Sequence, residues 1–228
     1  MKSKIKIFLF VKLPLAFIAL TLLWVLALKW LPVMVTPLMV RRAIEYREDQ
    51  DFRTKHKWVS IEKISPEMMK AVIASEDNLF VKHNGFDKKA VEQMLKDHKE
   101  KGKKIRGCST ISQQTAKNVF TWSTRSVTRK VFEAYFTFLI EKIWGKERIM
   151  EVYLNVVELG KGIYGVQSAS NLYYDKPASK LTSSQAACLA ACLPSPLTRT
   201  PQKISAKRRD AIISLTHKIE YPDWITRK

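Results

Sequence analysis

Residues 126–145, SVTRKVFEAYFTFLIEKIWG, form the longest uninterrupted periodic stretch of the chain. Val127, Val131, Tyr135, Phe138 and Ile143 recur at the spacing of one helix face and Gly145 offers a stop, so the stretch predicts a core helix over 126–144. The flanking sequence reads the same way. Ser65-Pro66 is an N-cap with proline in the first turn, Asp87 can cap a helix through Ala90, Val91, Met94 and Leu95, and Thr110/Gln113 and Thr182/Gln185 have capping-box spacing. Further helices are expected over 146–157, 164–174, 182–193 and 205–219. No segment shows the alternation of a strand, and no repeat is present. The basic, glycine-punctuated run KDHKEKGKKIRG (96–107) reads as a loop. The fold class is therefore all-α.

The 228 residues are 46% apolar and 27% charged, which suits one catalytic-sized domain plus an appendage and excludes disordered, collagen-like and disulfide-framework proteins. Forty Lys and Arg against 21 Asp and Glu give a net charge of +19. Five of the basic residues, and no acid, fall in residues 1–30, so the remainder carries +14. A body so charged attracts anionic partners: nucleic acid, anionic lipid or a phosphorylated substrate.

From Ile5 to Leu28 the only charged residues are Lys6, at the amino-terminal edge, and Lys12, and the stretch is long enough at about 1.5 Å per residue for one transmembrane helix. Lys2, Lys4 and Lys6 precede the span, while Lys29, Arg41 and Arg42 follow it. This balance modestly favours a cytoplasmic amino terminus and a body outside the cytoplasm. A cleaved signal peptide is the alternative, but the apolar core is long for one and no small-x-small site follows Leu28. Residues 1–30 thus read as cytoplasmic tail and anchor, 31–60 as a juxtamembrane connector and 61–228 as a helical domain. For a helical domain beyond the membrane, nucleic acid is no longer an expected partner. Cys108, Cys188 and Cys192 are too few for a disulfide framework, and Cys188 and Cys192, four apart in an expected helix, read as small buried hydrophobes. His56, His83, His98 and His217 lack metal-ligand spacing, so no protein-held metal is expected.

Three segments combine reactive groups with polar residues that a helical core does not need. The first, Glu76-Asp77-Asn78-Leu79-Phe80-Val81-Lys82-His83-Asn84-Gly85, follows the apolar run AVIAS. Glu76 should emerge at a helix end near apolar surface, where desolvation would raise its pKa toward that of a base. A solvated acid of the last helical turn is the alternative. In the second, Gly107 to Asn118, glycine and hydroxyls open a helix whose amino-terminal N–H groups can meet an anion, with Lys117 and the more distant Arg125 adding charge. The Gln113-Gln114 amides there need partners. In the third, Arg129 and Glu133 lie one helical turn apart, consistent with a surface ion pair or with a carboxylate sharing a cleft with Glu76.

Together these segments resemble the glycosyltransferase domain of the bacterial cell-wall synthases. Glu76 to Gly85 matches E-D-x-x-F-x-x-H-x-G. Gly107 to Asn118 matches G-x-S-T-I-S/T-Q-Q-x-x-K-N, with Cys108 where Gly or Ala is more usual. Arg129 to Glu133 matches R-K-x-x-E, and Lys146 to Asn155 matches K-x-x-I-L-x-x-Y-L-N with Met150 in place of Leu. Arg208 to Ile213 fits a late R-x-x-x-V/I-L/I. Five motifs in order over about 140 residues are far more specific than any one of them. Without a KTG motif, and with SxxK spacing only at Ser3 to Lys6 in the amino-terminal tail and at Ser60 to Lys63, the chain resembles the monofunctional biosynthetic peptidoglycan transglycosylases.

That resemblance implies a lysozyme-like helical domain that polymerises lipid II into β-1,4 glycan with inversion and releases undecaprenyl diphosphate. It makes Glu76 the general base and has Glu133 assist at the donor's anomeric centre or leaving diphosphate. Lys117 and Arg125 match diphosphate-binding positions, while Ser109, Gln113, Gln114, Asn118, Arg129 and Lys130 match the donor side. His83 is expected to bond or pack beside Glu76 rather than move protons. A divalent cation, Mg²⁺ or Mn²⁺, is implied as a bridge on the substrate diphosphate. The implied partners are lipid II, the growing glycan strand, the bacterial inner membrane crossed once with the domain on the periplasmic side, and a cell-wall synthesis or division complex. A lytic hydrolase of the same fold and a membrane-tethered binding module are the rival readings.

Overall fold

The computed structural model describes residues 8–102, 109–122, 124 and 126–226. Its first element, a π-helical turn at Phe8–Lys12, leads into α1 (Leu13–Leu28). Phe10–Leu28 is a 19-residue span of mean hydropathy 2.3, long and apolar enough to cross a membrane. This helix is bonded to the body. The hydroxyls of Thr21 and Tyr135 lie 2.7 Å apart, Trp144 Nε1 donates to the Val25 carbonyl at 2.7 Å, and Arg148 donates to the carbonyls of Leu28 and Leu31 at 2.8 and 2.5 Å. Arg148 thereby satisfies carbonyls at the helix terminus, where a cation is also favoured by the dipole. Trp24 sets its edge on Phe120 and Phe136.

The span between anchor and domain adds structure to the body. Thr36 accepts the Met39 N–H and caps α2 (Pro37–Glu45), and β1 (Lys55–His56) follows. Helices then succeed one another: α3 (Pro66–Glu76), α4 (Lys88–Lys101), α5 (Ile111–Phe120), α6 (Val127–Ile143) and α7 (Gly145–Val156). After the strands β2 (Glu158–Gly160) and β3 (Ile163–Tyr164) come α8 (Val166–Tyr174), α9 (Ser183–Cys192), α10 (Ala206–Thr216) and the short α11 (Asp223–Thr226). The expected capping boxes are present at α5 and α9, and Ser65 caps α3. One half of the core joins α3 to α9 and α10, with Ala186, Ala187, Ala190 and Ala191 letting backbones approach. The other packs α5 on α6 and α7.

Three expectations change. The chain does contain strands: β3 pairs parallel with β1 and antiparallel with β2, in the order β1-β3-β2. At two or three residues each they are too short to show alternation. The run read as a loop from Lys96 continues α4 to Lys101, because Lys and Glu are good helix formers and the pairs Lys96–Glu100 and Asp97–Lys101 sit one turn apart. Gly102, at φ +59°, ends it, and residues 103–107 of that run lie outside the described set.

The third correction concerns α6. Its predicted core face is its outer one, with Val127 84% and Val131 63% exposed. Glu133, Phe136, Thr137, Leu139 and Ile140 are the buried residues. The outer face includes Tyr135, which meets Thr21 and Phe17 of the anchor. The helix is apolar on both sides: Phe136, Leu139 and Ile140 face the core, while the periodic face carries the exposed Val127 and Val131 and the Tyr135 contact to α1. Cys192 is buried and Cys188 half-buried, both free, while Cys108 lies outside the described residues.

Candidate active site

Glu76 ends α3, and the loop that follows is tied down by its own side chains. The buried Asp77 carboxylate accepts from His83 Nε2 at 2.9 and 3.0 Å and from the Ile111 N–H, the first of α5, at 2.9 Å. His83 Nδ1 accepts the Gly85 N–H at 3.1 Å, which assigns the ring proton to Nε2. Thr110 then donates to the Gly85 carbonyl at 2.7 Å. Gly85 has φ +87°, and a Cβ there would come within 2.8 Å of Thr137 on α6. Only glycine lets the loop lie on that helix. His83 thus pairs with Asp77, beside Glu76 and not on it.

The Glu76 carboxylate accepts from Gln114 Nε2 at 3.0 Å, and Tyr153 donates to Gln114 Oε1 at 3.3 Å. Burial raises the Glu76 pKa above its ordinary value, and the Gln114 bond, Arg208 and Lys117 partly offset that rise.

Two adjoining cavities share Ser109 and Gln114 as walls. One, of about 760 Å³, holds Glu76 with Asn78, Lys89 and Gln93. The other, of about 560 Å³, is lined by Lys117, Asn118, Arg129, Lys130 and Glu133. Glu133 is 2% exposed and gripped from both sides: Arg129 Nη1 donates to it at 2.6 Å and the Lys130 ammonium bonds its other oxygen. Lys117 reaches open solvent in the cavity yet is crowded by protein. Desolvation lowers its pKa, an effect that Glu133 opposes and Arg129 and Lys130 reinforce. The pair of cavities can therefore present a carboxylate of raised basicity on one side and a cluster of cations on the other.

Of the residues singled out from sequence, Ser109, Gln114, Lys117, Asn118, Arg129, Lys130 and Glu133 meet in one cavity, and Glu76 lies across the Ser109–Gln114 wall. Gln113 does not join them. Its Oε1 accepts the Thr110 N–H at 3.0 Å in the α5 cap, so its amide serves the fold, as the capping-box spacing allows. Arg125 lies outside the described residues.

Sequence reasoning missed Arg41, Arg42, Trp122 and Glu158, which also line the cationic cavity. Arg42 Nε lies 3.3 Å from the buried Glu158 carboxylate, and desolvation raises the Glu158 pKa. The adjacent arginines were the available signal, but they fell in a stretch read as connector. Lys146, a motif residue, bonds Glu141 at 2.6 Å and sits over the Phe80 ring, two interactions that support the fold.

Among the described residues no three His, Cys, Asp or Glu side chains gather as a metal site. Glu133, the one acid of the cationic cavity that the resemblance associates with a cation, already faces Arg129 and Lys130. These residues do not fit a protein-held divalent ion. A cation bridging a substrate diphosphate would take its ligands from the substrate.

Residues 41–217 match the family model described as Transglycosylase. A biosynthetic peptidoglycan transglycosylase of Bacteroides thetaiotaomicron is 53% identical over 203 residues, covering 87% of this chain and 82% of that protein. Proteins of the same description from Caulobacter vibrioides and Escherichia coli O127:H6 are 50% identical over 191 residues and 47% over 207. They cover 82% and 86% of this chain, and 81% and 84% of their own lengths.

Proposed function

The chain belongs to the transglycosylase family and is a peptidoglycan transglycosylase, and from that premise we propose that it polymerises lipid II into β-1,4 glycan with Glu76 as general base. The observation that carries this reading is the Glu76 carboxylate, its basicity raised by burial, one wall away from the cluster of Lys117, Arg129 and Lys130.

In the reaction Glu76 takes the proton of the acceptor sugar's 4-hydroxyl. The oxygen's freed electron pair forms a bond to C1 of the donor from the face opposite its diphosphate. The C1–O bond breaks with its electrons leaving on undecaprenyl diphosphate, so the α-linked donor becomes a β-linked product. A positioned base contributes about 10²- to 10⁴-fold. Charge developing on the leaving diphosphate is met by Lys117 and Arg129, the latter able to hold two phosphate oxygens, with Arg125 adding to them. Glu133 acts on the leaving side by holding Arg129 and Lys130 at the cavity wall. Ser109, Gln114 and Asn118 orient the donor sugars.

The anchor crosses the inner membrane once, amino terminus in the cytoplasm and domain on the periplasmic side, where its +14 charge faces anionic headgroups and diphosphates. Protease added to spheroplasts should reach the domain; complete protection would reverse this orientation.

The test of function is incubation of detergent-solubilised protein with labelled lipid II and Mg²⁺ in the presence of penicillin, with products resolved by size. Glycan ladders are expected, at least 100-fold reduced in Glu76→Gln with lipid II binding retained. Release of soluble fragments from finished wall without polymer would assign hydrolysis instead.

A further inference from the structure

Tyr153 on α7 is fully buried, a site where phenylalanine would fill the same space without a polar atom to satisfy. Among the described residues its hydroxyl makes one hydrogen bond, donated to Gln114 Oε1 at 3.3 Å. The other end of that amide faces two acceptors, the Glu76 carboxylate at 3.0 Å and the Ser109 carbonyl at 3.4 Å. An amide has one donating and one accepting edge, so bonds at both ends fix which edge meets Glu76. We propose that Tyr153 is a positioning residue for glycan polymerisation: it holds the Gln114 amide with its NH₂ toward Glu76, keeping that carboxylate ionised and fixed at the cavity wall. The proposal rests on the reading of Glu76 as base.

The charged groups around Glu76 are Lys117 on α5, Arg208 on α10 and Asp77 beside it, with Asp87 and Lys89 at the start of α4 lining the same cavity and the Tyr153 hydroxyl behind Gln114. Lys117 and Arg208 favour the anion, and Asp77 opposes it. Gln114 is the group that bonds the carboxylate directly, so its orientation weighs on the proton affinity of the base. With the amide reversed, a carbonyl oxygen would face Glu76 and favour its protonated form. The base would then be lost at pH values where the parent enzyme is active.

The experiment is the pH dependence of kcat at saturating labelled lipid II for the parent, Tyr153→Phe, Gln114→Leu and the double variant, each with its melting temperature. Tyr153→Phe is expected to move the acid limb to higher pH, with roughly tenfold loss at the acid end, shrinking as pH rises, and KM unchanged. A packing defect would instead lower kcat by one factor at every pH. Gln114→Leu should move the same limb, and adding Tyr153→Phe to it should move it no further. An unmoved acid limb in folded Tyr153→Phe, or a double variant displaced beyond Gln114→Leu, overturns the proposal. Should Tyr153→Phe fail to fold, an unmoved limb in Gln114→Leu overturns it equally. Glu76→Gln is assayed alongside: polymerisation retained there removes the base itself, a failure recognisable without any Tyr153 variant.

Discussion

Asp77 and Ile111, 34 positions apart, are joined by a 2.9 Å hydrogen bond from the first N–H of α5 to the carboxylate that follows the α3 terminus. The bond fixes the helix bearing Glu76 against the helix bearing Gln114 and Lys117, and the same carboxylate accepts from His83. In Asp77→Ala both donors would be left buried and unpaired, at about 1–3 kcal/mol each. A markedly lower melting temperature is expected, with loss of polymerisation greater than the unfolded fraction explains. Unchanged thermal unfolding would show that the clamp is not needed.

Burial of Glu76 gives the opposite sign of stability effect. Its folded-state pKa is raised, so the native protein binds the proton more tightly than the unfolded chain. Stability from this group is present when it is protonated and is lost as pH rises from roughly 4, the unfolded value, through the raised native one. Glu76→Gln should therefore melt higher than the parent near pH 7.5, and the difference should close at pH 4. A variant less stable at neutral pH would mean that Gln114 and the nearby cations outweigh desolvation.

Much of this site is visible locally in the sequence, and the remainder is not because it depends on distant partners. Thr110 and Gln113 announce their capping box within four residues, and the apolar run before Glu76 announces its desolvation. The Arg42–Glu158 pair spans 116 positions, and nothing near Arg42 marks it as a cavity wall. Periodicity located the apolar face of α6 correctly as a face. Only the docked anchor, through Thr21 and Tyr135, shows that this face looks outward. Gln113 carried two readings in the sequence, a capping partner and a donor-side amide, and the fold shows the cap hydrogen bond.

Arg148 links the body to the anchor by donating to the carbonyls of Leu28 and Leu31 while its other nitrogen bonds Glu151. Arg148→Met keeps the stem and removes these charged donors, worth about 2 kcal/mol. The expected result is a lower melting temperature in the same detergent, with faster hydrogen exchange of the amides of residues 29–31 and 33. Exchange equal to that of the parent would show that the junction holds without Arg148.

Lys117 supplies a pH signature of the donor side. Desolvation lowers its pKa, so in the free enzyme the ammonium loses its proton at lower pH than an ordinary lysine would. Only the charged form attracts a diphosphate, so kcat/KM for lipid II should fall on the alkaline side as pH rises through that depressed value. A bound diphosphate restores the proton, so kcat, which reports the complex, should fall later. Lys117→Arg stays charged throughout this range. Even with reduced activity from altered geometry, it should extend the kcat/KM plateau to higher pH, whereas Lys117→Ala should lower kcat/KM and abolish the limb. An alkaline limb that survives unchanged in Lys117→Arg would assign that titration to another group and remove Lys117 from donor binding.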